Sequence, residues 1–326
     1  MSEPLVFSLN SGAGFARQVA ERLGVEPGEH EERDFKDGEH KVRPMQSVRA
    51  RDVYVVQSLY GDAASALNDK LVRLLFFLGA LRDSGAERVT AVVPYLCYAR
   101  KERKTKARDP VTTRYVAQLF EAVGIDHMVS MDVHNLAAFQ NAFRCHNTHL
   151  SARGPLVEWL RPRLGDASIT VASPDVGGVK RAERFREALE RQIDRPASSA
   201  FMEKFRSEGE VRGSRVMGEV ENRTVVILDD LVAGGGTMTR AAEAFAEYGA
   251  SKVYGLATHG LFTDGVDKAL DCAALSRLVV SNSVPVPEPP ANRSMGGKLD
   301  TVDIAPLIAE AIKCLHTGQS MAALDP

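Results

Sequence analysis

Short runs of β-branched residues alternate with helix-length amphipathic segments along most of this chain, and that alternation leaves few folds open. Val53–Gln57 precedes Ala66–Asp83, where Leu67, Leu71, Leu74, Leu75, Leu78 and Leu81 form one apolar stripe at helical spacing. Gly85 closes that helix, as a glycine just past a last turn does. Arg88–Tyr95 is the next strand, followed by a basic loop, a helix near Thr112–Val123 and a strand at His127–Val133. The second half repeats the plan. Ile169–Ser173 leads to a helix from about Gly178 to Gln192, and Thr224–Asp230 leads through glycines to a helix over Thr237–Tyr248. Strands at Lys252–His259 and Arg277–Val286 and a closing helix at Val302–Leu315 complete it. Strands that alternate with helices predict parallel sheets covered on both faces. At 326 residues, two such α/β domains are expected, 1–150 and 151–326.

Charge and cysteine use narrow the function classes. With 41 Lys+Arg against 43 Asp+Glu the net charge is -2, so binding of nucleic acid by bulk charge is not expected. The 4 cysteines are far apart and contain no C-x-x-C, which argues against a disulfide scaffold and fits a reducing cytoplasm. The first residues lack the basic-then-apolar pattern of a signal peptide, and no apolar stretch approaches the ~18 residues of a membrane span.

The chemistry concentrates at strand ends. In Val225-Val-Ile-Leu-Asp-Asp-Leu-Val-Ala-Gly-Gly-Gly-Thr237, a strand ends in Asp229 and Asp230, and Gly234, Gly235 and Gly236 then open a helix headed by Thr237. Glycines and a helix N-terminus offer backbone N–H donors and a positive dipole end to a phosphate monoester. The paired acids would repel that phosphate unless they face a sugar diol or a magnesium ion held by it. The plainer possibility is a capping Thr beside two solvated acids. The full order of strand, acids, glycines and helix favours a phosphosugar. A Walker loop and a dinucleotide fingerprint are both absent.

A second candidate is the basic loop Tyr98–Arg108, which contains Arg100, Lys101, Arg103, Lys104, Lys106 and Arg108 directly after a strand. It suits a polyphosphate, or is a solvated charge run. Asp132 and His134 end a third strand and Asp175 a fourth, where they could bind or orient hydrated magnesium. Cys145-His-Asn-Thr-His149 lacks a second matched pair of ligands and reads as a loop.

These residues together resemble the ribose-phosphate diphosphokinase (phosphoribosyl pyrophosphate synthetase) family, from about Phe35 to Ala322. The resemblance implies two phosphoribosyltransferase-like α/β domains, each a mostly parallel sheet flanked by helices. Phe35-Lys-Asp-Gly-Glu39 is similar to the family's F-x-D-G-E, which implies that Phe35, Asp37 and Glu39 contact adenine. In the family the equivalents of Asp37 and Glu39 serve a neighbouring subunit, so a homo-oligomer, a hexamer or a smaller even assembly, is implied. Tyr98-Ala-Arg100 resembles Y-A-R-Q-D-R, which puts Arg100 and Lys101 at ATP; Lys101 and Glu102 stand for the usual Gln and Asp. Asp132-Val-His134 resembles D-L-H, with His134 a magnesium ligand. Ser173-Pro-Asp-Val-Gly-Gly178 resembles S-P-D-x-G-G, with Asp175 at metal and ribose.

Glu203-Lys-Phe-Arg206 aligns with the family's flexible catalytic loop, so Lys204 and Arg206 are implied as catalytic. Met202–Gly213, with little apolar content and two glycines, suits a mobile lid. Asp229–Thr237 is similar to D-D-x-x-x-T-G-G-T, with Ala233 in place of an Asp and Gly234 in place of the first Thr. Gly234, Gly235, Gly236 and Thr237 are thereby implied to hold ribose 5-phosphate with Asp229 and Asp230. Ser47 and Arg49 resemble an allosteric site for phosphate and ADP, whereas Thr105–Pro110 is one residue shorter than the related segment and lacks its Ser.

The implied reaction moves the diphosphoryl group of magnesium ATP to the anomeric hydroxyl of ribose 5-phosphate and releases AMP. A type I phosphoribosyltransferase and a non-catalytic regulatory relative of the synthetase are the alternatives. No membrane and no nucleic acid partner is expected.

Overall fold

A computed structural model of the chain describes residues 3–207, 210–263, 271–286 and 297–324. Two units emerge, one formed by 1–151 with 304–325 and the other by 152–303. The expected second domain of 151–326 therefore ends early, because its last helix returns to the first unit.

The first unit contains β1 (Leu5–Phe7), α1 (Ala13–Leu23), β2 (His30–Asp34), β3 (His40–Pro44), β4 (Asp52–Val56), α2 (Leu67–Asp83), β5 (Arg88–Val93), α3 (Thr112–Ala122), β6 (His127–Met131), α4 (Leu136–Ala142) and β7 (His146–Leu150). Its sheet is wholly parallel, in the order β1-β4-β5-β6-β7. One face buries Phe7, Val53, Val55 and Ala91 against Leu74, Phe77 and Leu78 of α2 and Phe120 of α3. Gly85 takes φ +86 just past α2, the left-handed turn that a side chain would disfavour.

Three strands of this unit were not legible in the sequence. β2 and β3 pair as an antiparallel hairpin whose strands are almost wholly polar. It holds because Val42 enters the core and Arg73 of α2 pairs with Glu32 and Asp34. The segment read as a loop at Cys145–His149 is a strand instead: β7 pairs with β6, and His127 Nε2 lies 2.8 Å from the Thr148 hydroxyl.

The second unit contains α5 (Arg153–Leu160), β8 (Ile169–Ser173), α6 (Val179–Ile193), β9 (Ser198–Ser207), β10 (Glu210–Gly218), β11 (Thr224–Val232), α7 (Gly236–Glu247), β12 (Lys252–Gly260), β13 (Arg277–Ser281) and β14 (Leu299–Val302). Its sheet runs β10-β9-β8-β11-β12-β13-β14 and is parallel except for the β9–β10 hairpin. The stretch read as a mobile lid, Met202–Gly213, thus has its backbone within a strand pair on both sides of residues 208–209.

Strands buried along their whole length, such as β8, need cover on both sheet faces. α7 buries Met238, Ala241 and Phe245 against Ile227 and Val253. α6 packs on β8, β9 and β11 through Ala182, Phe185 and Leu189, side chains outside that cluster. The chain leaves β8 through α6 toward β9, but leaves β11 through α7 toward β12. Right-handed crossovers in opposite directions put the two helices on opposite faces, and a crevice opens between the carboxyl ends of β8 and β11.

Finally α8 (Ala305–Thr317) packs along α1 in the first unit. The expected start at Val302 is displaced because Leu299–Val302 forms the edge strand of the other unit.

Candidate functional site

The crevice between β8 and β11 collects most of the sequence candidates of the second unit. Beyond β8, the Ser173 hydroxyl donates to the Asp175 carbonyl at 2.6 Å, and the Asp175 carboxylate accepts from the Gly178 amide at 3.2 Å. A Cβ on Gly178 would lie 2.5 Å from the Ser173 hydroxyl oxygen, so only glycine allows this close turn into α6.

Across the crevice stand Asp229 and Asp230, the latter side chain only 4% exposed. Arg181 of α6 reaches both: its Nη1 is 3.5 Å from Asp229 Oδ1 and 3.3 Å from Asp230 Oδ1. Burial raises the Asp229 pKa, the hydrogen bond and negative charge of Asp230 raise it further, and Arg181 opposes both. A buried and a half-buried carboxylate that share one guanidinium are a polar surface prepared for donors, such as the hydroxyls of a sugar.

Arg181 escaped the sequence reading. Its one signal is its position: it is the third residue of α6, where a cation opposes the helix dipole unless acids face it.

β11 runs two residues past Asp230 before the chain turns. Gly235 holds φ +75 and α7 begins at Gly236. The possibility of a capping Thr is not realised, since no side chain caps this helix. The Thr237 hydroxyl instead accepts from Arg240 Nη2 at 3.5 Å. Gly234 and Gly235 bring backbone close to whatever sits at the helix start, the geometry of an anion cradle. The backbones of Lys204 and Arg206 lie in β9; their side chains fall outside the described residues.

In the first unit, the basic loop follows β5. Tyr98 takes φ +59, and its hydroxyl donates to Asn68 Oδ1 at 2.5 Å. Arg100 is exposed. Lys101 is committed elsewhere: its Nζ lies 2.6 Å from Asp109 Oδ2 and 3.1 Å from the Thr105 hydroxyl. Asp109 also accepts from the Thr105 hydroxyl and from the amides of Thr105 and Lys106. Hydrogen bonds from Lys101 and Thr105 hold its pKa well below the usual carboxylate range. The loop is therefore a turn ordered around one carboxylate, with Arg100, Arg103, Lys104, Lys106 and Arg108 exposed around it as in a solvated charge run.

At the end of β6, Asp132 takes φ +35 and His134 is exposed beside it, with Asn135 capping α4 through the Ala138 amide at 3.1 Å. Phe35, Asp37 and Glu39 come together at the exposed tip of the β2–β3 hairpin. There Asp37 accepts from the Glu39 amide at 3.1 Å, and the Arg33 guanidinium sits 5.2 Å from the Phe35 ring centre. Ser47 and Arg49 are exposed just before β4, at the amino ends of the strands, opposite the end that bears Arg100 and His134. Among the described residues, no helix is long and apolar enough to cross a membrane, and no three His, Cys, Asp or Glu side chains group as a metal site.

Comparisons with known proteins identify the family. Residues 5–124 match the model of the N-terminal domain of ribose phosphate pyrophosphokinase, and residues 199–325 match a phosphoribosyl synthetase-associated domain. The chain is similar to a ribose-phosphate pyrophosphokinase of Fusobacterium nucleatum, 34% identical over 324 residues, covering 98% of this chain and 97% of that one. It is 35% identical over 322 residues to a ribose-phosphate pyrophosphokinase of Caldanaerobacter subterraneus, covering 98% of this chain and 96% of that one. Its fold matches the crystal structure of phosphoribosylpyrophosphate synthetase from Mycobacterium smegmatis with a TM-score of 0.87 and 33% identity, covering 97% of this chain and 100% of that one. With this identity over nearly the full length of both chains, the protein belongs to the ribose-phosphate pyrophosphokinase family.

Proposed function

We propose that the protein transfers the diphosphoryl group of ATP to the anomeric hydroxyl of ribose 5-phosphate, with Mg2+ as its metal ion, giving phosphoribosyl diphosphate and AMP. The observation that carries the reading is the acid pair of half-buried Asp229 and buried Asp230, followed by the left-handed turn at Gly235, at the strand-order reversal of the second unit. The full-length likeness to ribose-phosphate pyrophosphokinases supplies the reaction.

In this reading Asp229 and Asp230 accept from the ribose hydroxyls, and the backbone of Gly234–Gly236 with the Thr237 hydroxyl binds the 5-phosphate. Phe35, Asp37 and Glu39 take the adenine, and Arg100 the polyphosphate. Lys101 supports Arg100 by tying the loop to Asp109, a role that differs from direct ATP contact. The sugar hydroxyl gives up its proton to solvent and its oxygen bonds to the β-phosphorus, as the bond from that phosphorus to the α–β bridging oxygen breaks and AMP leaves with that oxygen. No covalent enzyme intermediate is needed, since alignment and charge neutralisation carry phosphoryl transfer. Lys204 and Arg206 neutralise the charge that grows at the β-phosphorus.

The donors for a metal are few, one imidazole and one carboxylate. His134 and Asp175 are the proposed ligands, and the Asp175 carboxylate accepts from the Gly178 amide at 3.2 Å. A magnesium ion that arrives on substrate phosphates keeps several waters and needs only one or two protein ligands. When bound, it supplies charge neutralisation at the phosphate oxygens. The proposal extends to a cytoplasmic homo-oligomer, a hexamer or smaller even assembly, with Ser47 and Arg49 as the effector site.

The test is AMP production by purified protein. AMP forms only when ATP, Mg2+ and ribose 5-phosphate are all present, and its absence at several phosphate concentrations overturns the reading. Lys204→Ala lowers kcat by roughly a hundredfold while ATP binding stays close to the parent; equal loss of both points to a ground-state contact instead.

A further inference from the structure

We infer that Arg240 is a phosphate-recognition residue of the sugar-phosphate loop and replaces the hydroxyl that Gly234 lacks. The inference rests on the assignment of Asp229–Thr237 to ribose 5-phosphate. Arg240 lies in the first turn and a half of α7, with Nη2 3.5 Å from the Thr237 hydroxyl oxygen. A Cβ on Gly236 would lie 3.2 Å from its Nη1, so the guanidinium folds back over the glycine turn.

That placement has an electrostatic cost as it stands. The side chain is exposed, and among the described residues its one hydrogen-bond partner is the neutral Thr237. A cation beside the amino end of a helix is repelled by the dipole. An anion at the turn outweighs that repulsion, because the guanidinium, the amides at the helix start and the dipole then all face one negative charge. The planar fork of Arg matches two oxygens of a phosphate monoester, which Lys matches less well. With its oxygen accepting from Arg240, the Thr237 hydroxyl keeps its proton to donate to the same phosphate.

The sequence gives the arrangement a reason. Where the family pattern has a Thr, Gly234 offers no hydroxyl, and a charged donor one turn into the helix makes good the loss. The residue adds recognition of the 5-phosphate and leaves the transfer chemistry to others.

The experiment is a steady-state comparison of Arg240→Gln, Arg240→Lys and Thr237→Ala. Beside it, equilibrium binding of ribose 5-phosphate is compared with binding of ribose. Arg240→Gln is expected to raise the KM for ribose 5-phosphate about tenfold or more, the effect of losing a charge-assisted bond, and Arg240→Lys to raise it less. The preference for ribose 5-phosphate over ribose narrows by the same factor, whereas the KM for ATP changes less than roughly twofold. Gly234→Thr placed on Arg240→Gln recovers part of the loss. If Thr237→Ala raises that KM but Arg240→Gln does not, or if Arg240→Gln weakens ribose and ribose 5-phosphate alike, Arg240 has no phosphate role. If neither variant moves it, the assignment of the loop to ribose 5-phosphate falls as well.

Discussion

In the first unit the strands are laid in one direction, β1-β4-β5-β6-β7, whereas in the second the chain reverses between β8 and β11. Both sheets are parallel through these strands, yet the consequences differ. One-way winding puts the crossover helices α2, α3 and α4 on one face. α1 packs instead with α8, recruited from the far end of the chain, and neither joins the cluster that α2, α3 and α4 share with the sheet. Reversal puts α6 and α7 on opposite faces and points both of their amino ends at one crevice. The second unit therefore sets its proposed anion and sugar position between two strands, and the first builds its candidate site from a loop, ordered by Asp109, beyond a single strand.

The seams of the first unit and the crevice of the second also use charge differently. At the amino ends of β4 and β5, Asp52 binds Arg88 Nε at 2.7 Å, the Tyr54 hydroxyl at 2.8 Å and His316 Nδ1 at 2.7 Å, while Arg88 donates to the Leu315 carbonyl at 3.0 Å. Every group there has a partner, and the network fastens α8. In the crevice, two acids share one guanidinium, an arrangement prepared for a further donor.

Four variants test this difference. Asp229→Asn removes half of the acid pair and is expected to lower kcat/KM for ribose 5-phosphate by about a hundredfold, with the circular dichroism of the parent. A small change would mean that the crevice does not hold the sugar.

Asp52→Asn attacks the seam. It is expected to cost about 2 kcal/mol in denaturant unfolding with little change in KM. Burial works to raise the Asp52 pKa, but hydrogen bonds from Arg88, His316 and Tyr54 outweigh it and hold the pKa below its ordinary value. Its folded-state pKa thus lies below the unfolded one. The carboxylate contributes stability at pH above about 4 and loses it as pH falls through the folded value. The variant's stability should depend less on pH across that acid range, and parallel curves would refute the seam.

Arg181→Gln removes the cation shared by the acid pair. It is expected to raise the KM for ribose 5-phosphate roughly tenfold and to move its pH dependence to higher pH, because Arg181 favours the ionised pair. A KM change without that shift would make Arg181 a packing residue only. Asp109→Asn, the mildest, should raise the KM for ATP by roughly threefold and leave that for ribose 5-phosphate alone. Equal changes in both would separate the basic loop from the polyphosphate.

Legibility in the sequence followed burial. β4, β5, β8 and β11 were readable because each is an apolar run of strand length, and α2 because its leucines repeat at helical spacing. β2, β3 and β7 were not, because they carry polar residues that tertiary partners satisfy; the sole local hint of the hairpin was Asp37-Gly38. The acid pair and glycines stood out because they are contiguous. Arg181 and Arg240 did not, because a single Arg on a helix acquires meaning only from what the fold sets opposite it.

Local order along the chain was thus sufficient for the alternation of strand and helix, the parallel sheets and the acid–glycine turn before α7. Periodicity, propensity and backbone freedom act over a few residues and leave their record in composition. Strand order, the return of α8 to the first unit and the meeting of Arg181 with Asp229 and Asp230 were decided by tertiary structure. Each joins residues distant in sequence, and their juxtaposition comes from crossover handedness and from burial of both sheet faces.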